Sequence, residues 1–212
     1  MTEELSEAEI NERANEKARK RKVARDKMLA DKTKEKGLLI VHTGKGKGKS
    51  TAAFGLAVRA IGNGMKVGVV QYVKGKWETG ERAVLEHFPD QVEIRTMGEG
   101  FTWDTQDRAR DIQAAQNAWE TSKRMIEDCR GPDPKYDMVV LDELNIVLRY
   151  SYLPLEEVVA FLDNRPEDLH VVVTGRNAKP ELIEVADLVT EMALVKHPFR
   201  EQGVKAQKGV EF

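Results

Sequence analysis

The chain has 212 residues, of which 41% are hydrophobic and 33% are charged, with a formal net charge of −2 and a pI near 6.2. This length suits one α/β domain with an added arm, and the near-neutral charge excludes a uniformly basic nucleic-acid coat protein. A single cysteine, Cys129, excludes an internal disulfide, and no apolar run reaches the roughly 20 residues that span a bilayer. Because the N-terminus also lacks the apolar core of a signal peptide, we expect a cytoplasmic protein without a membrane partner.

Residues 1–36 are predicted to form a separate charged arm. The stretch from Glu7 to Ala30 contains good helix formers with no glycine or proline. This pattern predicts a long helix whose apolar stripe is too thin to bury much area by itself. Two interpretations stay open: the arm is a solvated helix, or it becomes ordered over a ligand or a partner subunit.

Residues 37–212 alternate short apolar runs with helical patterns. Near-continuous apolar strands separated by helices predict an α/β domain with a mostly parallel sheet covered on both faces. The predicted strands are 38–42, 67–73, 92–95, 138–141, 169–173 and a sixth near 188–192. The predicted helices are 49–62, 80–88, 107–129, 155–164 and 180–186. Residues 196–212 show no clear period and are predicted to be a tail that packs or closes over something.

A phosphate-binding loop lies between the first of these strands and the helix that follows it. Its sequence is Thr43-Gly44-Lys45-Gly46-Lys47-Gly48-Lys49-Ser50-Thr51. Glycines let backbone N–H groups turn towards phosphate oxygens, Lys49 neutralises phosphate charge and the Ser50 hydroxyl is placed for Mg²⁺. The Walker A pattern has four residues between its first glycine and the Gly-Lys pair, and Thr43 occupies that first position here. The loop is therefore effectively one residue short.

Two adjacent acids, Asp142 and Glu143, end the strand predicted at 138–141. This arrangement is typical of Walker B, whose acid reaches the metal bound to phosphate. Adjacent residues on a strand point to opposite faces, so the two acids are expected to have different roles. One of them would bind Mg²⁺ and the other would orient a neighbour.

Further candidates lie elsewhere along the chain, and one of them, Arg176, follows a predicted strand on the side where α/β proteins bind ligands. Phe101 and Trp103 either plug the core or form a flat apolar wall for a large planar ligand. Arg176 contacts a phosphate or a ribose, or is a surface arginine. Arg59 lies in the helix after the loop, and the sequence does not define which way its side chain points. His197 is either a packed or surface histidine or a residue that contacts a ligand.

Together these segments resemble the CobA-type ATP:corrinoid adenosyltransferases. The resemblance covers about Gly37 to Phe212 and, more loosely, the arm. It rests on 43–51, Gln71-Tyr72-Val73-Lys74-Gly75, Gly100-Phe101-Thr102-Trp103, Leu141-Asp142-Glu143-Leu144, Val173-Thr174-Gly175-Arg176, Val195-Lys196-His197-Pro198-Phe199 and Gly203-Val204-Lys205-Ala206-Gln207. The Phe-x-Trp pair and the Gly-Val-Lys-Ala-Gln tail are the most specific of these.

The resemblance implies a P-loop, RecA-like fold and an unusual reaction. The 5′-deoxyadenosyl group of ATP is transferred to the Co(I) centre of a reduced corrinoid, and triphosphate leaves. A shortened loop suits this chemistry, since it need not present a γ-phosphoryl group for attack. A homodimer, a flavoprotein reductant and an arm that folds over the site are also implied.

The same resemblance assigns roles to individual residues. Lys49, Glu143, Phe101 and Trp103 would be catalytic, and Ser50 with Glu143 would hold Mg²⁺ or Mn²⁺. Phe101 and Trp103 would wall off the lower corrin face, and His197 would also contact the corrinoid. The residues implied for ATP are Gly44, Lys45, Gly46, Lys47, Gly48, Lys49, Ser50, Thr51, Arg59 and Arg176. Lys45 departs from the asparagine or aspartate often found there, and Ser50 replaces the common threonine but keeps the hydroxyl.

Two other functions account for parts of the sequence. An ordinary P-loop phosphotransferase or ATPase would share the loop and the acidic strand end. A nucleic-acid-binding protein would use the lysines of residues 17–27 and of the loop, although the near-neutral net charge opposes that function.

Overall fold

The computed structural model describes residues 6–73, 79–98 and 107–211, and the chain divides into two compact units, Met1–Glu35 and Lys36–Phe212. In the first unit, α1 (Glu7–Ala30) confirms the predicted helical arm. Ser6 caps this helix, because its hydroxyl accepts a hydrogen bond from the Glu9 N–H while the Glu9 carboxylate accepts one from the Ser6 N–H. No residue of Glu7–Ala30 is buried, so the helix is held by its cap and by exposed pairs such as Lys20–Glu16.

The second unit is built around a six-stranded sheet with helices on both faces. Its strands are β1 (Leu39–Thr43), β2 (Val67–Gln71), β3 (Val92–Thr96), β4 (Met138–Asp142), β5 (His170–Thr174) and β6 (Leu188–Glu191). Its helices are α2 (Lys49–Gly62), α3 (Gly80–Leu85), α4 (Arg108–Glu127), α5 (Leu144–Arg149), α6 (Leu155–Asp163), α7 (Pro180–Val185) and α8 (Pro198–Gln202).

Every strand pairs in parallel, in the order β3-β2-β4-β5-β1-β6. Alternate residues of each central strand enter opposite core layers. Leu39 and Val41 pack with α4 to α7, whereas Ile40 packs with α2 and α3. This architecture confirms the predicted three-layer α/β class with a parallel central sheet.

The differences from the predicted elements are small and have local causes. Strand β2 ends at Gln71 rather than 73, and α3 ends at Leu85 rather than 88. The short helices α5 and α8, of six and five residues, were not predicted. Among the described residues, no helix combines the length and the apolar character needed to cross a membrane.

Candidate functional site

The candidate site lies at the carboxyl edge of the sheet, where β1, β5, β4 and β2 end side by side. The phosphate loop follows β1, Gly175 and Arg176 follow β5, and Glu143 follows β4. Since β5 lies between β1 and β4, its end separates the loop from the acids. This edge is where open parallel sheets bind ligands.

The loop between β1 and α2 is shaped by glycines and sealed on one side by the chain after β6. Gly44 has a φ of 99°, and a Cβ there would lie 2.5 Å from the Met192 carbonyl oxygen. The Gly46 N–H donates to that same oxygen at 2.7 Å, so this N–H faces the strand neighbour in the structure. Gly48 caps α2 with a φ of 104°. The loop is therefore seated against residues 192–193 before α2 begins.

Thr43 stands where the Walker A pattern has its first glycine, and it anchors the shortened loop. Its hydroxyl accepts a hydrogen bond from the Ala178 N–H at 2.9 Å. Its carbonyl accepts one from the Met192 N–H at 2.9 Å. The start of the loop is thus tied to the segments that follow both neighbouring strands, β5 and β6.

Lys49 is the buried cation of the site. Lys49 is only 7% exposed, and its Nζ donates to the Gly46 carbonyl oxygen at 2.5 Å. Burial lowers the pKa of Lys49, the negative charge of Glu143 opposes that decrease, and the positive charges of Arg176 and Lys47 add to it. The structure therefore brings these four predicted residues into one electrostatic neighbourhood.

His42 is a buried histidine next to this neighbourhood, and burial disfavours its charged form. Burial lowers its pKa below the ordinary value of 6.5, and the hydrogen bond to the Lys49 carbonyl only partly opposes this. The distance from His42 Nδ1 to the Lys49 carbonyl oxygen is 3.3 Å. Because a carbonyl oxygen can only accept a hydrogen bond, the imidazole proton lies on Nδ1. The positive charge of this neighbourhood therefore comes from lysine and arginine.

The remaining loop residues differ in exposure. Lys45 and Thr51 are exposed, and Ser50 is half-buried in the first turn of α2. Lys47 forms an ion pair with Glu211, which attaches the C-terminal tail to the loop. The predicted tail therefore packs against the phosphate loop at this point.

The two acids are not equivalent, and the expectation that both lie on the strand was wrong. Glu143 has left β4 and adopts the left-handed conformation, with φ 66° and ψ 20°, at the start of α5. Asp142 is the last residue of β4 and is fully buried. The difference in role that we expected therefore arises from a turn in the backbone and not from strand alternation.

A chain of side-chain hydrogen bonds holds Asp142. Its Oδ1 accepts from the Thr174 hydroxyl at 2.8 Å, and its Oδ2 accepts from Gln71 Nε2 at 3.4 Å. Gln71 Oε1 in turn accepts from the Thr96 hydroxyl at 3.0 Å. These bonds connect the ends of β5, β4, β2 and β3, so Asp142 serves as the acceptor that orders the edge of the sheet.

The other predicted residues are placed as follows. Arg59 is exposed in the last turn of α2, about 15 Å along the helix axis from Lys49, so the structure does not bring it to the loop. His197 is half-buried at the N-cap of α8, and its backbone N–H donates to Glu201 Oε1 at 2.8 Å. Phe101 and Trp103 lie outside the described residues.

Sequence reasoning did not assign roles to Thr43, Gln71, Thr174 and Asn145. Three of these end an apolar strand, and a polar residue at such a position is the signal that points to the carboxyl edge. Asn145 lies in the unpredicted helix α5 and carried no comparable signal.

The glycine geometry leads to a test with a matched control. Gly44→Ala should raise the Kd for ATP by about 10- to 100-fold, corresponding to roughly 1–3 kcal/mol of strain. The added Cβ would meet the Met192 carbonyl oxygen at 2.5 Å, and the φ of this residue is positive.

The control is Gly55→Ala, which adds the same methyl group within α2, where nothing lies within 4 Å. This control should bind ATP normally and gain about 0.5–1 kcal/mol of stability. Isothermal titration and thermal unfolding measure both effects, and equal ATP affinity in the two variants would contradict the assignment of the loop.

Comparison with known proteins shows which family this chain is similar to. The model of the family described as ATP:corrinoid adenosyltransferase BtuR/CobO/CobP matches residues 35–212. A corrinoid adenosyltransferase of Sinorhizobium sp is 59% identical over 198 residues, covering 92% of this chain and 90% of that protein. The corrinoid adenosyltransferase of Pseudomonas aeruginosa is 52% identical over 204 residues, covering 96% and 98%. Corrinoid adenosyltransferase CobA of Salmonella typhimurium is 47% identical over 202 residues, covering 95% and 99%.

Proposed function

The chain belongs to the ATP:corrinoid adenosyltransferase BtuR/CobO/CobP family, and on that premise we propose how its carboxyl-edge site performs adenosyl transfer to a corrinoid in cobalamin biosynthesis. The observation that carries the proposal is the arrangement of Lys49, Glu143 and Arg176 around a shortened phosphate loop. This arrangement suits a triphosphate that is held as a leaving group.

The reaction is a displacement at carbon. The electron pair of Co(I) attacks C5′ of the ATP ribose, a cobalt–carbon bond forms, and the bond between C5′ and the α-phosphate oxygen breaks. That bonding pair leaves with triphosphate, and cobalt becomes formally Co(III). Because no proton is removed, the site needs groups that stabilise negative charge rather than a general base.

Lys49 is the main source of that stabilisation. Its ammonium group now donates to the Gly46 carbonyl within the loop. Binding of triphosphate would replace this bond with bonds to phosphate oxygens, which offer full negative charge in a buried setting. The N-terminus of α2 and the exposed ammonium of Lys45 would add to the positive field.

The residues present suit Mg²⁺. Magnesium is usually held by one or two protein ligands together with waters and substrate phosphates. The described residues contain no group of three or more His, Cys, Asp or Glu that could hold a metal by themselves. The half-buried Ser50 hydroxyl and the negative charge of Glu143, which acts on Lys49, support a site of this kind. Ser50 and Glu143 would hold the ion, which would stabilise the charge that grows on the leaving triphosphate.

Phe101 and Trp103 are proposed to cover the lower face of the corrin, with His197 contacting the same substrate. Described residues that flank this pair support the proposal: the Gly98 N–H donates to the carbonyl of Gln71, the last residue of β2, at 3.2 Å. Asp107 caps α4, which carries the chain back from the carboxyl edge towards β4. Gly98 is therefore held at the carboxyl edge of the sheet, the edge at which β1 leads into the phosphate loop.

Three further features are proposed for the working enzyme. We expect a homodimer, a flavoprotein as electron donor and a cytoplasmic location. A monomeric mass in sedimentation would contradict the homodimer. Absence of turnover with a reduced flavoprotein as the sole reductant would contradict the electron donor, and recovery outside the cytoplasmic fraction would contradict the location.

The product distinguishes this reaction from ordinary phosphoryl transfer. ATP, Mg²⁺ and chemically reduced cobalamin should yield the adenosylcobalamin spectrum and one triphosphate per cobalt–carbon bond. An ATP analogue with a methylene group between the β- and γ-phosphorus atoms should still react, since that linkage is not broken. Formation of ADP and orthophosphate without alkylcobalamin, together with inhibition by the analogue, would identify a phosphotransferase or ATPase instead.

A further inference from the structure

Glu143 is held in a conformation that residues with side chains rarely adopt. Its φ of 66° and ψ of 20° lie in the left-handed region, at the junction of β4 and α5. Such backbone strain persists only where the surrounding structure enforces it, and it is concentrated at functional sites. The groups that enforce it here are therefore of interest for the chemistry of Glu143.

The end of β5 supplies two bonds to this junction. The Glu143 N–H donates to the Thr174 hydroxyl at 2.9 Å. Asn145 Nδ2 donates to the Gly175 carbonyl at 3.2 Å. We refer to these two hydrogen bonds together as the β5 clamp.

The direction of the Thr174 hydroxyl is determined by its neighbours. Thr174 and Asp142 are both fully buried, and the single hydroxyl proton goes to Asp142 Oδ1 at 2.8 Å. A lone pair of the same oxygen must therefore face the Glu143 N–H. Gln71 Nε2 approaches the other oxygen of Asp142 at 3.4 Å, so the carboxylate that orients Thr174 is itself held from both sides.

The clamp leaves little space at Gly175. A Cβ on Gly175 would lie 2.8 Å from Asn145 Cβ and 3.1 Å from Glu143 Oε2. Asn145 is fully buried, and its Oδ1 has no hydrogen-bond partner within the described part of the chain. An unsatisfied buried amide oxygen costs stability and calls for an explanation beyond packing. The Nδ2 group of the same side chain donates to the Gly175 carbonyl next to the Glu143 carboxylate, so Asn145 is held by the β5 clamp despite that cost.

We propose that Thr174 is a positioning residue of the adenosyl transfer reaction, which directs the Glu143 carboxylate towards Lys49 and the metal–triphosphate through the β5 clamp. This inference rests on the proposed function of the site, because Glu143 is the residue through which Thr174 acts. Threonine at 174 provides one donor and one acceptor in a single group, and a valine of the same shape provides neither.

The test compares Thr174→Val with Thr174→Ser. Loss of an outer-shell partner usually lowers metal affinity or activity by about 10- to 100-fold. Thr174→Val should weaken Mn²⁺ binding in the presence of ATP by that amount, as measured by electron paramagnetic resonance of free Mn²⁺, and should lower kcat similarly. Thr174→Ser keeps the hydroxyl and should stay within about threefold of the wild type in both measurements. Equal losses in the two variants, or unchanged Mn²⁺ binding in folded Thr174→Val, would overturn the proposal.

A double-mutant cycle with Glu143→Gln separates positioning from general destabilisation. If Thr174 acts through Glu143, the double variant should be no worse than Glu143→Gln alone. Additive losses in Mn²⁺ binding would count against the clamp. Should Thr174→Val fail to fold, Asn145→Ala cuts the second bond and is expected to weaken Mn²⁺ binding in the same direction, and normal binding there would count against the clamp. Wild-type enzyme that forms no adenosylcobalamin would refute the proposed function, whereas an active wild type with an unaffected Thr174→Val refutes only the clamp.

Discussion

Replacing Lys49 with alanine is expected to lower kcat/KM for ATP by about 1,000-fold, the upper range for loss of one preorganised charge-stabilising donor. The ammonium group is buried, donates to the loop carbonyl of Gly46 and interacts electrostatically with Glu143. Its removal would take this buried positive charge away from the triphosphate that we propose is held by the loop. Both the affinity for ATP and the rate of the chemical step should fall, because that charge acts on bound ATP and still more on the leaving group.

The control for this variant is Lys66→Ala. Lys66 is exposed just before β2, at the amino edge of the sheet. Its backbone N–H, which alanine keeps, donates to Asp137 Oδ2 at 2.7 Å. Both substitutions remove one positive charge, so a general effect of net charge would appear in both. Kinetics of adenosylcobalamin formation and ATP titration measure the two variants. Unchanged KM and kcat in Lys49→Ala would remove this lysine from the site.

Trp103→Ala is expected to reduce activity on the order of 100-fold when the corrinoid is supplied as Co(II), because each ~59 mV lost from a one-electron reduction potential lowers the reduced fraction about tenfold. The physical reason lies in the cobalt. An axial ligand donates electrons into the orbital that reduction must fill, so a wall that excludes the ligand makes Co(II) easier to reduce. Without the indole ring the ligand returns and the potential falls.

The same variant contains its own control. With chemically pre-reduced Co(I), the reduction step is bypassed, and Trp103→Ala should stay within about threefold of the wild type because the interactions with triphosphate are unaltered. The Co(II) substrate is tested with one reductant at a fixed potential, and product formation is followed by absorbance. Equal losses with Co(II) and Co(I) would contradict the proposed wall.

Several parts of the site could be predicted from the sequence because they depend on local chemistry. A β-branched run followed by closely spaced glycines, Gly-Lys-Ser and an apolar helical period predicts a strand, a phosphate loop and a helix wherever it occurs. The bounds of α2 agree with the prediction at both ends. Likewise, an apolar run ending in Asp142-Glu143 predicts an acidic strand end, although the residue at which the strand stops was beyond that reasoning.

Other parts depend on residues far apart in the chain. The Asp142–Thr174 bond joins residues 32 apart, the Gln71–Asp142 bond joins residues 71 apart, and the Thr43–Ala178 bond joins residues 135 apart. Each exists only because the strands pair in one order and register. A pattern read along the chain contains no information about which strand end lies next to which.

From its sequence alone, then, this protein could be assigned an α/β sheet, a lysine-rich phosphate loop, an acidic partner and a charged helical arm, because periodicity and glycine spacing act over a few residues. Only the tertiary structure showed that Asp142 is buried at the end of β4 while Glu143 turns into α5. By placing β5 between β1 and β4, it brings the Thr174 hydroxyl to the Glu143 backbone and leaves Asp142 buried as the acceptor behind it. The physical reason is that a buried carboxylate must be surrounded by donors, and here those donors come from different strands.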